Sequence, residues 1–371
     1  MKIIFTGDLF LGGDLNKQIG KNFIRSPSFW KADKVVVNLE SPLSDNLEKA
    51  DKGVLFAHPD SAKNLKLWNV SAVNLANNHI QDKGIDGIYD TFNTLNKYSI
   101  PYFGAGKNIN EARQPYFLDE NLCVIGFCQS KAPTLNFIQE AEENIPGVNI
   151  LTYKHIDEIL TELPSNAKAI LHFHWGQEHL WLTQPDIIKL AKKCLKNPKV
   201  EMIIGMHPHR IQGKIVEGGK SAYLCLGNFL FPNFYIDKPA ELSYPEIIPK
   251  KIDVTYQYHK VNKLTYKKWK FKNRLSYLVE YDTLKRSSKI IPVLQDINEP
   301  VIKELEGVRA RLVLLLFNCL TLMHRLPNSI YFPLHKLNSI LSRRKWALFN
   351  RIFWIKQNGF KKKSSKIIQK F

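Results

Sequence analysis

The feature that most constrains the fold is a repeated order of short apolar strand, polar loop and amphipathic helix within residues 1–240. The clearest apolar runs cover 2–6, 34–38, 70–75, 169–174, 201–205 and 221–226. Helical spacing of apolar residues is found between them, at 60–68, 85–98, 155–163 and 186–196. Alternation of this kind is typical of sheets built from βαβ units. We therefore predict an α/β fold for this part of the chain.

Polar residues suited to metal binding or proton transfer follow these apolar runs. They are two carboxylates, one amide and four imidazoles: Asp8, Glu40, Asn78, His79, His174, His207 and His209. The residues that follow parallel strands collect at one edge of a sheet, so a single sheet would bring these side chains together. Mixed oxygen and nitrogen donors suit divalent cations, and a carboxylate can bridge two of them. Two ions about 3.5–4 Å apart would activate a water and clamp the oxygens of a displacement at phosphorus.

No member of this set is decisive alone. His207 and His209 are two residues apart, and side chains two apart in an extended segment face the same way. Such a pair occurs in metal sites and also in ordinary loops. Structural roles are equally available for Asp8 as a helix cap, Asn78 as a turn former and His174 as a hydrogen-bonded core residue. The joint order of the set favours a metal site.

The charge of the chain is concentrated after residue 240. The formal net charge is +19, and residues 241–371 hold 27 Lys and Arg against 9 Asp and Glu, leaving 26 against 25 for residues 1–240. We therefore predict an almost neutral α/β domain over 1–240 and a basic, mostly helical region over 241–371. A basic region of this kind implies an anionic partner.

Two segments of the basic region suggest what that partner is. The run 312–323 is apolar over twelve residues, too short for a bilayer span of about 20 residues, and predicts a core helix of a small C-terminal bundle. Farther on, Trp346, Phe349, Ile352 and Phe353 recur at helical spacing among basic residues. That pattern is typical of an amphipathic helix on an anionic membrane, and equally of a docked helix with a solvated basic face. We do not expect a nucleic-acid partner, because no recognised motif accompanies the charge.

The cellular setting is predicted from cysteines and from the N-terminal residues. The five cysteines form no CxxC pair and are too sparse for a disulfide scaffold. No apolar stretch of signal-peptide length precedes the first strand pattern. Both features favour a cytoplasmic protein, with membrane association on the cytoplasmic face as the expected consequence of the basic region.

Seven segments, taken together, resemble a known family. The segments GDLFLGG, NLESPL, NLANNHIQDKG, GAGKNINEAR, HWGQE, MHPHRIQ and YLCLGNFLF are similar in order and spacing to the motifs of the CapA family. This family of capsule and poly-gamma-glutamate synthesis proteins is a branch of the calcineurin-like metallophosphoesterases. The resemblance covers about residues 1–235 and implies a four-layer αββα sandwich of two mixed sheets with a dinuclear metal site at their edge.

The resemblance also implies a role for each residue of the site. It makes Asp8, Glu40, Asn78, His174, His207 and His209 the ligands of two divalent metal ions, such as Mn, Fe or Zn. Glu40 stands where the wider superfamily has a bridging aspartate. His79 would be the acid that protonates a leaving group. Supporting roles are implied for Asp82, Glu178 and Asn228.

Two departures from the wider pattern bear on function. Phe10 replaces a histidine ligand of the wider superfamily, and Met206 replaces the first histidine of a GHHPH segment found in family members. We predict a metal-dependent, phosphoesterase-type hydrolase that serves synthesis of a capsule or other cell-surface polymer. Its substrate would be an anionic polymer or a phosphorylated small molecule. The alternative is a non-catalytic, metal-containing scaffold that holds an anionic polymer or its synthase at the membrane, which Phe10 and the basic region both favour.

Overall fold

The computed structural model describes residues 1–16, 18–47, 54–130, 138–236 and 265–342. The strands are β1 (Lys2–Leu9), β2 (Ile24–Arg25), β3 (Lys34–Leu39), β4 (Ala72–Asn74), β5 (Tyr102–Phe103), β6 (Ala105–Gly106), β7 (Tyr116–Phe117), β8 (Leu122–Cys128), β9 (Gly147–Val148), β10 (Lys168–His174), β11 (Val200–Met206), β12 (Lys214–Glu217), β13 (Lys220–Tyr223), β14 (Asn228–Leu230), β15 (Phe234–Ile236), β16 (Thr265–Lys267), β17 (Leu275–Asp282), β18 (Ser287–Gln295) and β19 (Ile302–Glu304). The helices are α1 (Pro27–Trp30), α2 (Ala62–Leu67), α3 (Gly84–Lys97), α4 (Ile109–Arg113), α5 (Tyr153–Glu162), α6 (Pro185–Leu195), α7 (Phe271–Arg274), α8 (Gly307–Met323) and α9, which covers 328–342.

The first large sheet is centred on β1. Its order is β2-β19-β18-β17-β1-β3-β4-β5, and β14 also pairs with β1. The strands β3 and β14 run parallel to β1, whereas β17 runs antiparallel to it. The apolar runs of β1 and β3 are buried on both faces of the sheet, which explains why they show no alternation of apolar and polar residues.

The second large sheet has the order β12-β13-β11-β10-β8-β7. Its central strands β8, β10, β11 and β13 are parallel, and the edge strands β7 and β12 are antiparallel to their neighbours. Both large sheets are therefore mixed. The prediction of an α/β fold with mixed sheets is confirmed.

Packing of the two sheets follows from which side chains share a cluster. Ile3 and Phe5 of β1 pack in one cluster with Ile170 of β10 and Ile204 of β11, so these faces of the two sheets contact each other. The opposite face of the first sheet packs on α2 and α3, and that of the second sheet packs on α5 and α6. The order of layers is helix, sheet, sheet, helix.

The region after residue 240 requires a correction. Residues 275–304 form the strands β17, β18 and β19 of the first sheet. The prediction of a mostly helical region is therefore wrong for these residues. Alternate residues of β17, among them Tyr277, Val279 and Tyr281, enter the cluster between the sheets. This period of two is a strand signal that net charge had obscured. The proposed division of the chain near residue 240 stays a prediction.

A helical region does follow these strands, in α8 and α9. Helix α8 does not belong to a separate bundle, because Val313 and Phe317 enter the cluster between the sheets. Leu320 of α8 and Tyr331 of α9 pack with the outer face of the second sheet. Among the described residues no helix has the length and apolarity needed to cross a bilayer. The predicted amphipathic helix around residues 346–353 lies outside the described residues.

Candidate metal centre

The two carboxylates of the predicted site are brought together by neighbouring parallel strands. Asp8 lies in β1, and Glu40 directly follows β3. The backbone N–H of Glu40 donates to the carbonyl of Leu9 at 2.8 Å, which extends the strand pairing to the point where both carboxylates lie. Nδ2 of Asn38 donates to Oδ1 of Asp8 at 2.8 Å. Both acids are completely buried.

Three side chains from other segments converge on one ring nitrogen of His174, the last residue of β10. Oδ1 of Asn78 lies 2.7 Å from Nε2 of His174, and Nδ1 of His207 lies 3.1 Å from the same atom. Oε1 of Glu40 is 3.7 Å from it. Convergence of oxygen and nitrogen donors on one point is what a cation site requires.

A second group of donors shares Glu40 with the first. Nε2 of His209 lies 3.6 Å from Oε1 of Glu40, and Nδ1 of His209 lies 3.5 Å from Oδ2 of Asp8. The ligand atoms of Glu40, His174 and His207 lie within 4.8 Å of one another, as do those of Asp8, Glu40 and His209. The structure thus contains two buried groups that could hold metal ions, with one carboxylate common to both.

The protonation of these imidazoles follows from burial and from neighbouring charges. Burial lowers the pKa of His174 well below its ordinary value, and the nearby His207 and His209 lower it further. His174 is therefore neutral and has a lone pair for a cation. Burial acts to lower the pKa of His209, but the hydrogen bond and charge of Asp8, with the charge of Glu178 and the hydrogen bond of Asn228, leave that pKa raised.

The backbone at the histidine pair is strained. Strand β11 ends at Met206, and φ is +94° at His207 and +52° at His209. Our expectation of an extended segment was wrong here, because both residues lie in a region that side chains rarely adopt. A non-glycine residue in a sparsely populated region costs about 1–3 kcal/mol and persists only where its surroundings enforce it. Such strain is common at functional sites.

His79 is positioned by Asp82. Nδ1 of His79 lies 2.6 Å from Oδ2 of Asp82, and the same carboxylate oxygen accepts from the backbone N–H of Leu55 at 2.8 Å. With Nδ1 engaged in this way, Nε2 of His79 lies 4.0 Å from Oε1 of Glu40. About 11% of the His79 side chain is accessible, so this imidazole is almost buried.

The two remaining predicted residues have different positions. Oδ1 of Asn228 lies 2.8 Å from Nδ1 of His209, which leaves Nε2 of that ring directed at Glu40. Glu178 belongs to neither donor group, and its Oε2 lies 3.8 Å from Nε2 of His179. The structure therefore brings the predicted ligands together and places Glu178 at the rim. Their role as ligands stays a prediction.

Two asparagines of the centre were not identified from the sequence. Nδ2 of Asn74 donates to Oδ1 of Asn38 at 2.7 Å, and Asn38 in turn donates to Asp8. Each asparagine ends an apolar strand run, which is the signal that could have identified it. The chain of amides fixes the orientation of Asp8 in a buried setting, where an unpaired polar group would be costly.

Phe10 contributes to an aromatic cluster beside the centre. Its ring lies 5.1 Å from that of Phe231 and 5.7 Å from that of Phe234, measured between centroids. Trp269 belongs to the same cluster, and its ring lies 5.8 Å from that of His209. Phe10 thus packs against aromatic rings and offers no ligand atom. Met206 is equally remote from a ligand role, because its side chain is buried in the cluster between the sheets.

A lysine that the sequence did not single out lies over this aromatic cluster. Nζ of Lys267 lies 4.1 Å from the ring centroid of Trp269 and 5.4 Å from that of Phe234. Burial lowers the pKa of Lys267, and the charges of Glu178 and Glu40 oppose that shift only in part. The lysine is therefore within electrostatic reach of the centre.

An α/β sandwich with two overlapping groups of buried carboxylates and imidazoles defines this molecule as a protein with a candidate dinuclear metal centre. Residues 2–233, more than half of the chain, match the family described as Bacterial capsule synthesis protein PGA_cap. The protein belongs to this family, which confirms the resemblance found in its motifs.

Curated relatives agree with this assignment. The chain is 28% identical over 242 residues to the PGA biosynthesis protein CapA of Bacillus subtilis, covering 61% of this chain and 62% of that protein. It is 26% identical over 246 residues to the Capsule biosynthesis protein CapA of Bacillus anthracis, covering 62% and 60%. The chain thus spans about three fifths of the length of these relatives. A crystal structure of TT1561 from Thermus thermophilus aligns weakly, with a TM-score of 0.37 and 12% identity over 64% of this chain and 93% of that one.

Proposed function

We propose that the protein is a metal-dependent hydrolase of the metallophosphoesterase type that serves the synthesis of a capsule or another cell-surface polymer. The observation that carries this proposal is the sharing of Glu40 between two buried donor groups. A carboxylate in that position can bridge two cations. Family membership and the names of the two Bacillus relatives support a role in making poly-gamma-glutamate or a related capsule polymer.

The donor set fits two divalent cations such as Mn, Fe or Zn. Glu40, His174 and His207, with the amide oxygen of Asn78, would hold one ion, and Asp8, Glu40 and His209 would hold the other. When bound, such a pair of ions supplies an activated water and charge stabilisation for displacement at phosphorus. The mixture of imidazole and carboxylate donors suits transition metals better than calcium.

The remaining steps belong to the chain's own side chains. Asp82 holds Nδ1 of His79, so that Nε2 faces the centre and can donate a proton to the leaving oxygen of a substrate. Asn228 orients His209, and Asn38 orients Asp8. Contacts that orient ligands in this way tune both affinity and activity. We propose a phosphorylated small molecule or an anionic polymer as the substrate.

In a second candidate function, the protein binds metal but does not catalyse hydrolysis. Phe10 packs in the aromatic cluster and supplies no ligand, so one ion would have fewer protein donors than in the wider superfamily. In this case the protein would be a scaffold that holds an anionic polymer or its synthase at the membrane. Loss of one ligand weakens binding of that ion, and a site built for hydrolysis needs both.

Metal analysis and an activity panel distinguish the two functions. The purified protein would be assayed by mass spectrometry for bound metal and with phosphoesters for hydrolysis. The double variant His207→Ala, His209→Ala should lose both metal and hydrolysis, whereas the control His155→Ala should keep them. His155 lies on α5, in neither donor group.

The hydrolase and the scaffold predict different outcomes of these assays. Metal-free protein, or hydrolysis indifferent to the double variant, would overturn the proposed hydrolase. Bound metal without hydrolysis of any phosphoester, together with binding of poly-gamma-glutamate, would establish the scaffold instead.

A further inference from the structure

Helix α8 carries apolar side chains on the face that it turns to solvent. Val308, Leu312, Leu315 and Leu322 are each 58–70% exposed. Their spacing of four, three and seven residues places them along one line on the helix. The opposite face packs into the protein, so α8 is apolar on both sides. A helix that is apolar all round is normally buried on all sides.

Helix α9 repeats this arrangement. Ile330, Leu337 and Leu341 are about half exposed and are spaced by seven and four residues along one face. The opposite face includes the buried Tyr331 and Ser339. A surface helix usually presents charged residues to water, and a contiguous exposed apolar surface marks an interaction site.

Within α8, α9 and the turn between them the charges all have one sign, and Glu306, the residue directly before α8, is an exposed acid. Residues 307–342, which include both helices, contain four Lys and Arg and no Asp or Glu. In α8, α9 and the turn between them, Arg309, Arg311, Arg325 and Lys336 are exposed. Apolar side chains flanked by four cations, with Glu306 before α8 as the adjacent acid, fit the boundary between the headgroups and acyl chains of an anionic membrane.

We propose that α8 and α9 together form a docking surface for an anionic lipid bilayer. The leucines would enter the boundary between headgroups and acyl chains, and the flanking arginines would contact lipid phosphates. A second copy of the chain fits this surface less well, because a two-fold interface would bring equal positive charges together. The proposal is independent of the metal centre and of hydrolysis, and it deepens the membrane role in the second candidate function by naming the surface that would contact the lipid.

Binding to vesicles tests this docking surface directly. The full chain should bind vesicles of phosphatidylglycerol and phosphatidylcholine at least about tenfold more tightly than vesicles of phosphatidylcholine alone. The triple variant Leu312→Ser, Leu315→Ser, Leu322→Ser should lose about tenfold or more in binding. A matched triple variant, Leu67→Ser, Leu284→Ser, Ile297→Ser, replaces residues that are 49%, 87% and 57% exposed elsewhere and should bind as the parent does.

A second experiment tests how much the arginines contribute to vesicle binding. Arg309→Gln and Arg311→Gln should each weaken binding to the anionic vesicles by about fivefold, because each cation near such a surface contributes about 1 kcal/mol. Thermal unfolding of every variant should match the parent, since the replaced side chains are exposed. Equal binding to both vesicle types would overturn the proposal. Unchanged vesicle binding by the leucine variant would also overturn it. A third contrary result would be a parent protein that is a dimer, with a leucine variant that is monomeric but still binds vesicles.

Discussion

Two regions depart from ordinary burial in opposite directions. One is the sheet edge that carries the candidate metal centre, called the edge below, and the other is the pair of C-terminal helices α8 and α9. At the edge, charged and polar side chains such as Asp8, Glu40 and His174 are completely buried. On α8 and α9, apolar side chains such as Leu312 and Leu337 are more than half exposed. Burial of a charged group and exposure of an apolar group both cost free energy, so each arrangement requires a compensating contact.

The two regions differ in how much of that compensation the chain supplies. At the edge, Asn38 donates to Asp8, and Asp82 holds His79. On the helices, no described residue covers the exposed leucines. The difference teaches that a site for a small ion is organised by internal hydrogen bonds. A docking surface, by contrast, keeps its side chains available for a partner.

Replacement of the shared carboxylate should have the largest effect at the edge. Glu40→Gln removes a ligand from both donor groups. We expect bound metal to fall to at most about one ion per chain and any hydrolysis to fall on the order of a thousandfold. Elemental analysis and initial rates measure both. The control is Glu162→Gln, an exposed acid on α5 outside both groups, and equal losses in the two variants would show that Glu40 has no special position.

The two faces of α8 provide the next test. Phe317 is buried in the cluster between the sheets, whereas Leu315 lies on the exposed line. Phe317→Ala should lower the free energy of unfolding by about 3–5 kcal/mol. Leu315→Ala should change it by no more than about 0.5 kcal/mol. Urea unfolding measures both, and similar values for the two variants would mean that α8 has a different orientation.

A variant of Asp82 tests how much the orientation of His79 contributes to hydrolysis. Asp82→Asn keeps an oxygen near His79 but removes the charge that holds the imidazole. We expect kcat to fall by about 10–100-fold, because contacts of this kind act through the residue that they orient. Metal content should stay at the parent level. Asp86→Asn, which changes an exposed acid on α3, is the control, and a rate as low in that variant would contradict the role of Asp82.

A smaller, pH-dependent effect is expected near the C-terminal helices. Burial lowers the pKa of His324 to about 4, and neither ring nitrogen has a hydrogen-bond partner among the described residues. The unfolded chain, with an ordinary imidazole, takes up a proton below about pH 6.5, whereas the folded protein does not. Stability is therefore present above pH 6.5 and is lost as the pH falls toward 4, by about 2 kcal/mol at pH 5.

His324→Leu should remove that part of the acid sensitivity. The difference in unfolding free energy between pH 8 and pH 5 should shrink by about 2 kcal/mol relative to the parent. The variant His155→Leu, on α5, should keep the parent's pH dependence. An identical loss of stability in His324→Leu and the parent would show that this imidazole is not buried as described.

Much of the fold could be predicted from local patterns. Strands such as β3 and β10 and helices such as α3 and α6 were predicted within a few residues, because apolar period and length are properties of the segment itself. The strands β17 to β19 were missed, although Tyr277, Val279 and Tyr281 alternate as strand residues do. Their basic surroundings suggested a separate helical region. Net charge, however, carries no information about secondary structure.

Most residues of the candidate site could be predicted from the sequence, but their arrangement in space could not. Asp8, Glu40 and His174 were found because each occurs at or near the end of an apolar run, where α/β folds gather polar residues. The amides of Asn38 and Asn74 were missed because a single asparagine at the end of an apolar run is also an ordinary turn residue. The strained backbone at His207 could not be foreseen, since it depends on what surrounds the residue.

The sequence by itself determined the alternation of strands and helices, the family, the set of polar residues at strand ends and the excess of positive charge in the last third. Only the tertiary structure decided that Glu40 belongs to two donor groups, that Phe10 belongs to an aromatic cluster and that Leu312, Leu315 and Leu322 of α8 face solvent. The physical reason is the range of the interactions. Periodicity and composition act along the chain, whereas shared ligands, burial and exposure depend on contacts between residues far apart in sequence.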